Sequence, residues 1–323
     1  MKAICMTSRG GNEVLDFRSY PDPVPGPEQV IVDITVAGVN FMDIGVRRGQ
    51  FWQDVPDPKV LGVEGAGKII AIGPGIDHLK IGQRVAWAYA PGSYADRICI
   101  SADSLVVLPG DIDDRTAAAL MMQGLTASHF ATDFYPIASG EIALVHAAAG
   151  GVGNLLTQIV KILGGKVIGR VSQATKAPAA YAAGADYVVV DADGRFAHDV
   201  LNLTNGEGVD AVFDGSGTLT FADSLMSLRS GGTFCWFGTA LAGAGTIDLA
   251  SLPRSIKIGY AVFSDHVRTP ELLRLRAQRL FDWVLQGKLK VHVGQEYPLR
   301  DAAQALEDLE GRRTVGKSLL IPN

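Results

Sequence analysis

The sequence predicts an α/β protein in which a smaller β-rich domain precedes a doubly wound parallel sheet. Three observations predict it. Short strand-like runs broken by Pro/Gly turns fill the first third. Strands alternate with helices from Glu141 onward. Between them, one glycine turn joins an apolar strand to a helix. The length of 323 residues suits two domains.

In the first third, the runs Val30–Val36, Lys68–Gly73, Arg84–Ala88 and Arg97–Ile100 read as strands. Pro25-Gly26-Pro27, Gly73-Pro74-Gly75 and Pro91-Gly92-Ser93 supply the turns between them. Short strands punctuated in this way suggest a small barrel-like domain. Asp113-Asp114 then heads an alanine- and methionine-rich helix. Ile142–His146 is an apolar strand, followed by a glycine turn, a helix over Asn154–Leu163 and the stop Gly164-Gly165. Lys166–Val171, Ala185–Val190, Val209–Asp214 and Thr233–Gly238 continue the alternation. A long amphipathic helix over Pro270–Gln286, a strand over Lys288–Val293, a helix over Asp301–Gly311 and a strand over Lys317–Pro322 complete the chain.

Composition narrows the function. Hydrophobic residues make up 47% and charged residues 20%, enough to bury a sizeable core. The formal net charge of −5, with no basic stripe, argues against a nucleic-acid partner. No apolar signal core opens the chain and no run of about 20 apolar residues occurs, so a membrane span is not expected. Cys5, Cys99 and Cys235 are an odd, scattered set, which favours a reducing compartment; a cytoplasmic location is expected.

The strongest motif is His146-Ala147-Ala148-Ala149-Gly150-Gly151-Val152-Gly153. In the G-x-G-x-x-G pattern Ala148 takes the first glycine position, and Gly150 and Gly153 the others. Gly150 lets the backbone approach a pyrophosphate, and Gly153 lets helix and strand pack closely. The helix N-terminus then offers N–H groups and a positive dipole end to the phosphates. An NAD site places Asp or Glu about 20 residues beyond the glycines. Here the segment reads Arg170-Val171-Ser172-Gln173-Ala174-Thr175-Lys176 and holds no carboxylate. Arg170, Ser172 and Lys176 suit a 2′-phosphate, so the expected cofactor is NADPH.

These residues carry a resemblance over nearly the whole chain. Gly38–Asp43, Leu61–Gly67, Gln123–Ala127, His146–Gly153, Leu280–Val284, Gly287–Val291 and Arg312–Pro322 resemble the zinc-free, zeta-crystallin-like quinone oxidoreductases of the medium-chain dehydrogenase/reductase superfamily. The resemblance implies a GroES-like catalytic domain over 1–123, completed by 266–323, and a Rossmann domain over 124–265. It implies an active site in the cleft and a homodimer through Rossmann edge strands, for which Ile256–Phe263 is the candidate. Zinc relatives have a histidine where this chain has Val63, and cysteines at or near Asn40 and Met122, so no metal is expected.

The resemblance also implies roles. Asn40, Asp43 and Thr126 are the candidate catalytic residues, with Asn40 and Thr126 beside the nicotinamide and its ribose. Ala149, Gly150, Gly151, Val152 and Gly153 would hold the pyrophosphate, Ser216, Phe237 and Gly238 the nicotinamide end, and Arg312 with Lys176 the 2′-phosphate. Glu64 is read as mostly structural, and His146 as satisfied by its surroundings. Phe51, Trp52 and Phe263 would line the substrate pocket. Two departures stand out. Asp191 falls where relatives have a tyrosine in the phosphate cluster, with Arg170 as the compensating cation. Gly45 and Phe51 replace two pocket tyrosines, making the pocket more apolar. The expected activity is NADPH-dependent reduction of a quinone by hydride transfer. The alternatives are an enone or enoyl-thioester reductase, and a cofactor-binding protein with a structural or RNA-binding role.

Overall fold

The computed structural model describes residues 1–52, 59–237 and 247–322. The chain divides into two units: Met1–Met122 with Val267–Leu285 and Val291–Asn323, and Gln123–His266 with Gln286–Lys290.

The first unit is β-rich. Its strands begin with β1 (Lys2–Met6), β2 (Leu15–Ser19), β3 (Gln29–Gly38), β4 (Lys59–Val60), β5 (Glu64–Ile72), β6 (Arg84–Ala88), β7 (Arg97–Ser101) and β8 (Val106–Val107). The second unit contributes β9 (Ile142–His146), β10 (Lys166–Val171), β11 (Tyr187–Val190), β12 (Val209–Asp214), β13 (Leu228–Trp236) and β14 (Lys257–Tyr260). The chain returns to the first unit for β15 (Val293–Pro298) and β16 (Lys317–Ile321).

In the first unit, β2-β1-β4 form a small antiparallel sheet that the sequence patterns did not reveal. The larger sheet runs β15-β16-β3-β5-β6-β8, with β7 also paired to β3. Val30, Val32 and Ile34 alternate inward along β3 and pack with Ile69, Val85 and Trp87, as a half-buried strand requires. Short helix α1 (Phe41–Arg47) follows β3 and buries Ile44 and Val46.

The second unit is one parallel sheet in the order β11-β10-β9-β12-β13-β14. Numbered within the unit this is 3-2-1-4-5-6, the doubly wound Rossmann order, whose direction reverses between β9 and β12. Helix α2 (Asp114–His129) leads into it, and α3 (Gly151–Ile162) follows β9. Leu155, Leu156, Ile159 and Val160 are the buried face of α3, so helix packing sets its direction against the sheet. β11 and β14 are the two edge strands of this sheet. β14 is shorter than the edge run read from the sequence, and Phe263, the last residue of that run, opens a short helix.

One expected strand is displaced. Lys288–Val293 does not form a strand; β15 begins at Val293. The cause is a distant side chain. Gln158 on α3 donates from Nε2 to the Lys290 carbonyl at 2.9 Å and accepts from the Lys290 N–H at 2.7 Å. With its N–H already donated to an amide side chain, Lys290 has no donor for a ladder. No helix among the described residues is long and apolar enough to cross a membrane.

Candidate functional site

The glycine turn lies at the carboxyl end of β9, where the strand order reverses. Gly150 is the N-cap of α3, in extended backbone, and Gly151, Val152 and Gly153 form the first turn. A β-carbon on Gly153 would stand 2.2 Å from the Ala147 carbonyl oxygen and 2.8 Å from that of His146. Only glycine lets helix and strand end approach so closely. The left-handed residue of the turn is Ala147, at φ 48°, one position before the expected first glycine position. Ala149 is buried behind the turn, while Gly150, Gly151 and Val152 are partly accessible. A helix N-terminus presented at this point matches what a dinucleotide pyrophosphate requires.

Ser172 follows β10 and Lys176 ends the short turn after it, both partly accessible. Arg170 departs from expectation. Its guanidinium is 4% exposed; Nε and Nη2 donate to Asp191 Oδ2 at 2.9 and 2.7 Å, and Nη2 also to the Asp191 carbonyl. It lies over the Phe196 ring, 5.2 Å from the centroid. Arg170 is therefore taken up by Asp191 and is not presented to a phosphate. The pairing arises because β10 and β11 run parallel with Val171 opposite Val190, which sets Asp191 at the strand end. Burial opposes ionisation of Asp191, but the Arg195 N–H and Arg170 outweigh it and hold the carboxyl below its ordinary range. Arg312, in the first unit, is exposed at φ 55°.

At the end of β12, Asp214 organises the neighbouring turn. Its Oδ1 accepts from the Ser216 N–H at 2.7 Å, and Oδ2 from Thr220 and Ser224 hydroxyls at 2.7 and 2.9 Å. Ser224 also contacts His146 Nε2 at 3.0 Å. Burial pushes His146 down to about 4, partly resisted by Asp214, so the imidazole is neutral at physiological pH. Serine lies between histidine and aspartate, and all three are buried. The set is a strut joining β9 and β12 at the reversal point, in agreement with the structural reading of His146. Phe237 continues this edge: its N–H donates to the Asp214 carbonyl at 3.1 Å and its ring lies 4.5 Å from Phe130. Gly238 lies outside the described residues. Thr126 is partly accessible on α2, and Phe263 opens the short helix after β14.

The first unit brings Asn40 and Asp43 into a buried polar cluster. Asn40 Nδ2 donates to Glu64 Oε2 at 2.9 Å and to the Gly38 carbonyl at 3.3 Å. Lys317 Nζ donates to Asn40 Oδ1 at 2.7 Å and to Glu64 Oε2 at 2.5 Å. Glu64 Oε1 accepts from the Met122 N–H at 2.5 Å. A β-carbon on Gly38 would stand 2.3 Å from Glu64 Oε2, so the glycine makes room for the ion pair. Both amide hydrogens of Asn40 are thus engaged, and Glu64 is the structural acid that was expected. The Lys317 partner is a finding. Its motif was visible in the sequence, but nothing local marks a lysine as fully buried.

Asp43 corrects its expected catalytic role. The carboxylate is fully buried, with Oδ2 accepting from the Tyr94 hydroxyl at 2.7 Å and the Asn40 N–H at 2.8 Å. It caps α1 and ties it to Tyr94, and a sealed carboxylate does not reach a substrate. Burial pushes it up to about 7, with the Tyr94 and Asn40 hydrogen bonds and Lys317 offsetting only part.

Phe51 lies over Gly45, whose β-carbon would stand 2.5 Å from the ring, so the two departures from the tyrosine pattern compensate sterically. Trp52 lines a cavity of about 260 Å³ with Val46, Lys59, Leu61 and Gly62, and its ring meets Tyr89 edge-on at 5.4 Å. The resemblance puts the zinc ligands of related dehydrogenases at Val63 and at or near Asn40 and Met122, and Val63 is wholly buried.

Comparison with known proteins agrees with this architecture. Residues 26–110 match the alcohol dehydrogenase GroES-like domain and residues 183–320 the zinc-binding dehydrogenase model. The chain is 36% identical over 325 residues to a quinone oxidoreductase of Pseudomonas aeruginosa, covering 99% of both chains. This chain belongs to the quinone oxidoreductase family. Among solved structures, a mycobacterial protein complexed with NADPH shares 39% identity at a TM-score of 0.94, covering 100% of both chains. The Escherichia coli quinone oxidoreductase complexed with NADPH shares 35% at 0.94, also covering 100% of both. A 2-haloacrylate reductase of Burkholderia is 32% identical over 99% of this chain and 98% of its own. As a member of the family, the chain carries the Rossmann and GroES-like domains that its sequence predicts.

Proposed function

We propose that this member of the family is an NADPH-dependent quinone reductase. The observation that carries the reading is the turn at β9. Gly153 allows α3 to start against the Ala147 carbonyl, in a 3-2-1-4-5-6 sheet whose second strand ends without a carboxylate for the ribose hydroxyls. The backbone of Gly150–Gly153 would hold the pyrophosphate, and Ser172 and Lys176 would meet the 2′-phosphate. When bound, NADPH supplies a hydride, which with one proton from water converts a quinone to a hydroquinone.

The protein's own contribution is positioning. The His146–Ser224–Asp214 strut fixes the ends of β9 and β12, and Asp214 fixes the turn that carries Ser216. Thr126 remains the proposed residue beside the nicotinamide, and within the first unit Glu64 and Lys317 hold Asn40 in one orientation. Trp52 and its apolar neighbours favour a flat, unsaturated substrate. We further propose a cytoplasmic homodimer paired through β14, one of the two edge strands of the parallel sheet.

Titration of reduced-nicotinamide fluorescence tests the cofactor assignment. Lys176→Ala should weaken NADPH binding by roughly tenfold or more while leaving NADH nearly unchanged; equal losses would refute the 2′-phosphate contact. Likeness to the 2-haloacrylate reductase favours a second reading, reduction of an activated alkene. A panel of a benzoquinone, an alkenal and a crotonyl thioester separates the two.

A further inference from the structure

The second unit also gathers three metal-ligating side chains that hydride transfer does not use. α2 ends at His129 and widens into a π-helical turn, Phe130–Phe134. Such single-turn widenings are rare and concentrate at functional sites. The four-residue step from His129 to Asp133 sets both side chains on one side of the turn. His266, the last residue of the helix after β14, meets them. Its Nδ1 is 2.8 Å from Asp133 Oδ2, and its ring centroid is 4.9 Å from that of His129. One ligand atom from each residue lies within 4.8 Å of the other two. Both imidazoles are buried and the carboxylate reaches the surface, which gives an ion a way in. The Thr132 hydroxyl donates to the Ser128 carbonyl at 2.7 Å and lies 3.1 Å from Asp133 Oδ1, beside the carboxylate.

We propose that His129, Asp133 and His266 form a binding site for a borderline divalent cation of the Zn²⁺ or Co²⁺ type. Two imidazoles and one carboxylate match that class, whereas Ca²⁺ and Mg²⁺ require an oxygen-only shell. Metal–ligand bonds of about 2.0–2.2 Å place tetrahedral ligand atoms roughly 3.4 Å apart. The three ligand atoms already lie within 4.8 Å of one another, so reaching that spacing takes side-chain shifts of at most on the order of 1 Å. The site is not the zinc position of the dehydrogenase relatives. By the resemblance that position lies at Val63 and at or near Asn40 and Met122, in the first unit, whereas all three residues here belong to the second. Its role is structural: the ion joins the end of α2 to the segment leaving the edge strand. Phe134 already packs there against Gly259 of β14, where a β-carbon would stand 2.5 Å from the ring.

The test uses chelator-treated full-length protein titrated with Co²⁺, followed by visible d–d absorption, and with Zn²⁺, followed by calorimetry and thermal melting. The expected result is one saturable ion per chain, Co²⁺ displaced by Zn²⁺, and a higher melting temperature with metal. His129→Gln and His266→Asn should each weaken binding roughly tenfold or more. Asp133→Asn, isosteric and at the surface, should do the same without affecting the fold of the metal-stripped protein, and NADPH titration should be unchanged in all three. Absence of saturable binding, or binding that survives the three substitutions, would overturn the assignment.

Discussion

Gly153→Ala puts the central feature of the cofactor turn under direct strain. The new β-carbon would sit 2.2 Å from the Ala147 oxygen, 2.7 Å from the Ala147 carbonyl carbon and 2.8 Å from the His146 oxygen. These are backbone atoms of a strand end and cannot rotate aside. With non-bonded carbon contacts optimal near 3.5 Å, α3 must retreat on the order of 1 Å. That shift disturbs the buried face formed by Leu155, Leu156, Ile159 and Val160. Overpacking of this kind costs up to about 3 kcal/mol. In a unit of this size that lowers the melting temperature by about 6–12 °C. The comparison variants isolate the cause. A β-carbon on Gly151 would meet only the end of the Gln123 side chain, which can turn away, so Gly151→Ala should melt near the wild type. Gly150→Ala would stand 3.2 Å from the Ala147 oxygen, so it should leave melting nearly unchanged yet weaken NADPH by placing a methyl where the pyrophosphate approaches. Thermal melting and fluorescence titration on the three variants are sufficient. If Gly153→Ala melted with Gly151→Ala and kept its NADPH affinity, the close-approach reasoning would be refuted.

Three other outcomes follow from the buried charges. Arg170→Ala leaves Asp191 without its cation and should cost about 3–5 kcal/mol in chemical denaturation, while the ratio of NADPH to NADH affinity stays close to that of the wild type. A changed ratio with unchanged stability would return Arg170 to the phosphate. Lys317→Met strands Glu64 in the interior and should cost a similar amount, about 3–5 kcal/mol, much of it recovered by adding Glu64→Gln. Lack of recovery in the double variant would show that the pair is not the cause. Asp43 binds its proton more tightly folded than unfolded, its folded value being about 7. Its contribution is therefore fully present below its unfolded value near 4 and is lost as pH rises through the folded value. Asp43→Asn should remove a slope approaching ~1.4 kcal/mol per pH unit between about pH 4.5 and 6.5. Parallel profiles for variant and wild type, measured by urea unfolding, would contradict the buried, protonated carboxyl.

What the sequence determined by itself was local. Glycines at 150 and 153 between an apolar strand and an apolar helix follow from contacts among neighbours in the chain, and the structure places them at β9 and α3. The strand–helix alternation follows from the same short-range patterns, as does the absence of an acid after β10. Tertiary structure alone decided which charges are available. Arg170 has the same identity whether it meets a phosphate or Asp191, and only the β10–β11 register selects Asp191. Lys317 is a surface residue by type and becomes a buried cation because Glu64, 253 positions away, faces it. Likewise Lys290 loses its strand to Gln158, 132 positions away, and His266 reaches Asp133 across 133. Side-chain chemistry and backbone preference are encoded within a few residues, whereas partners and burial depend on how distant segments pack, which composition and spacing do not specify.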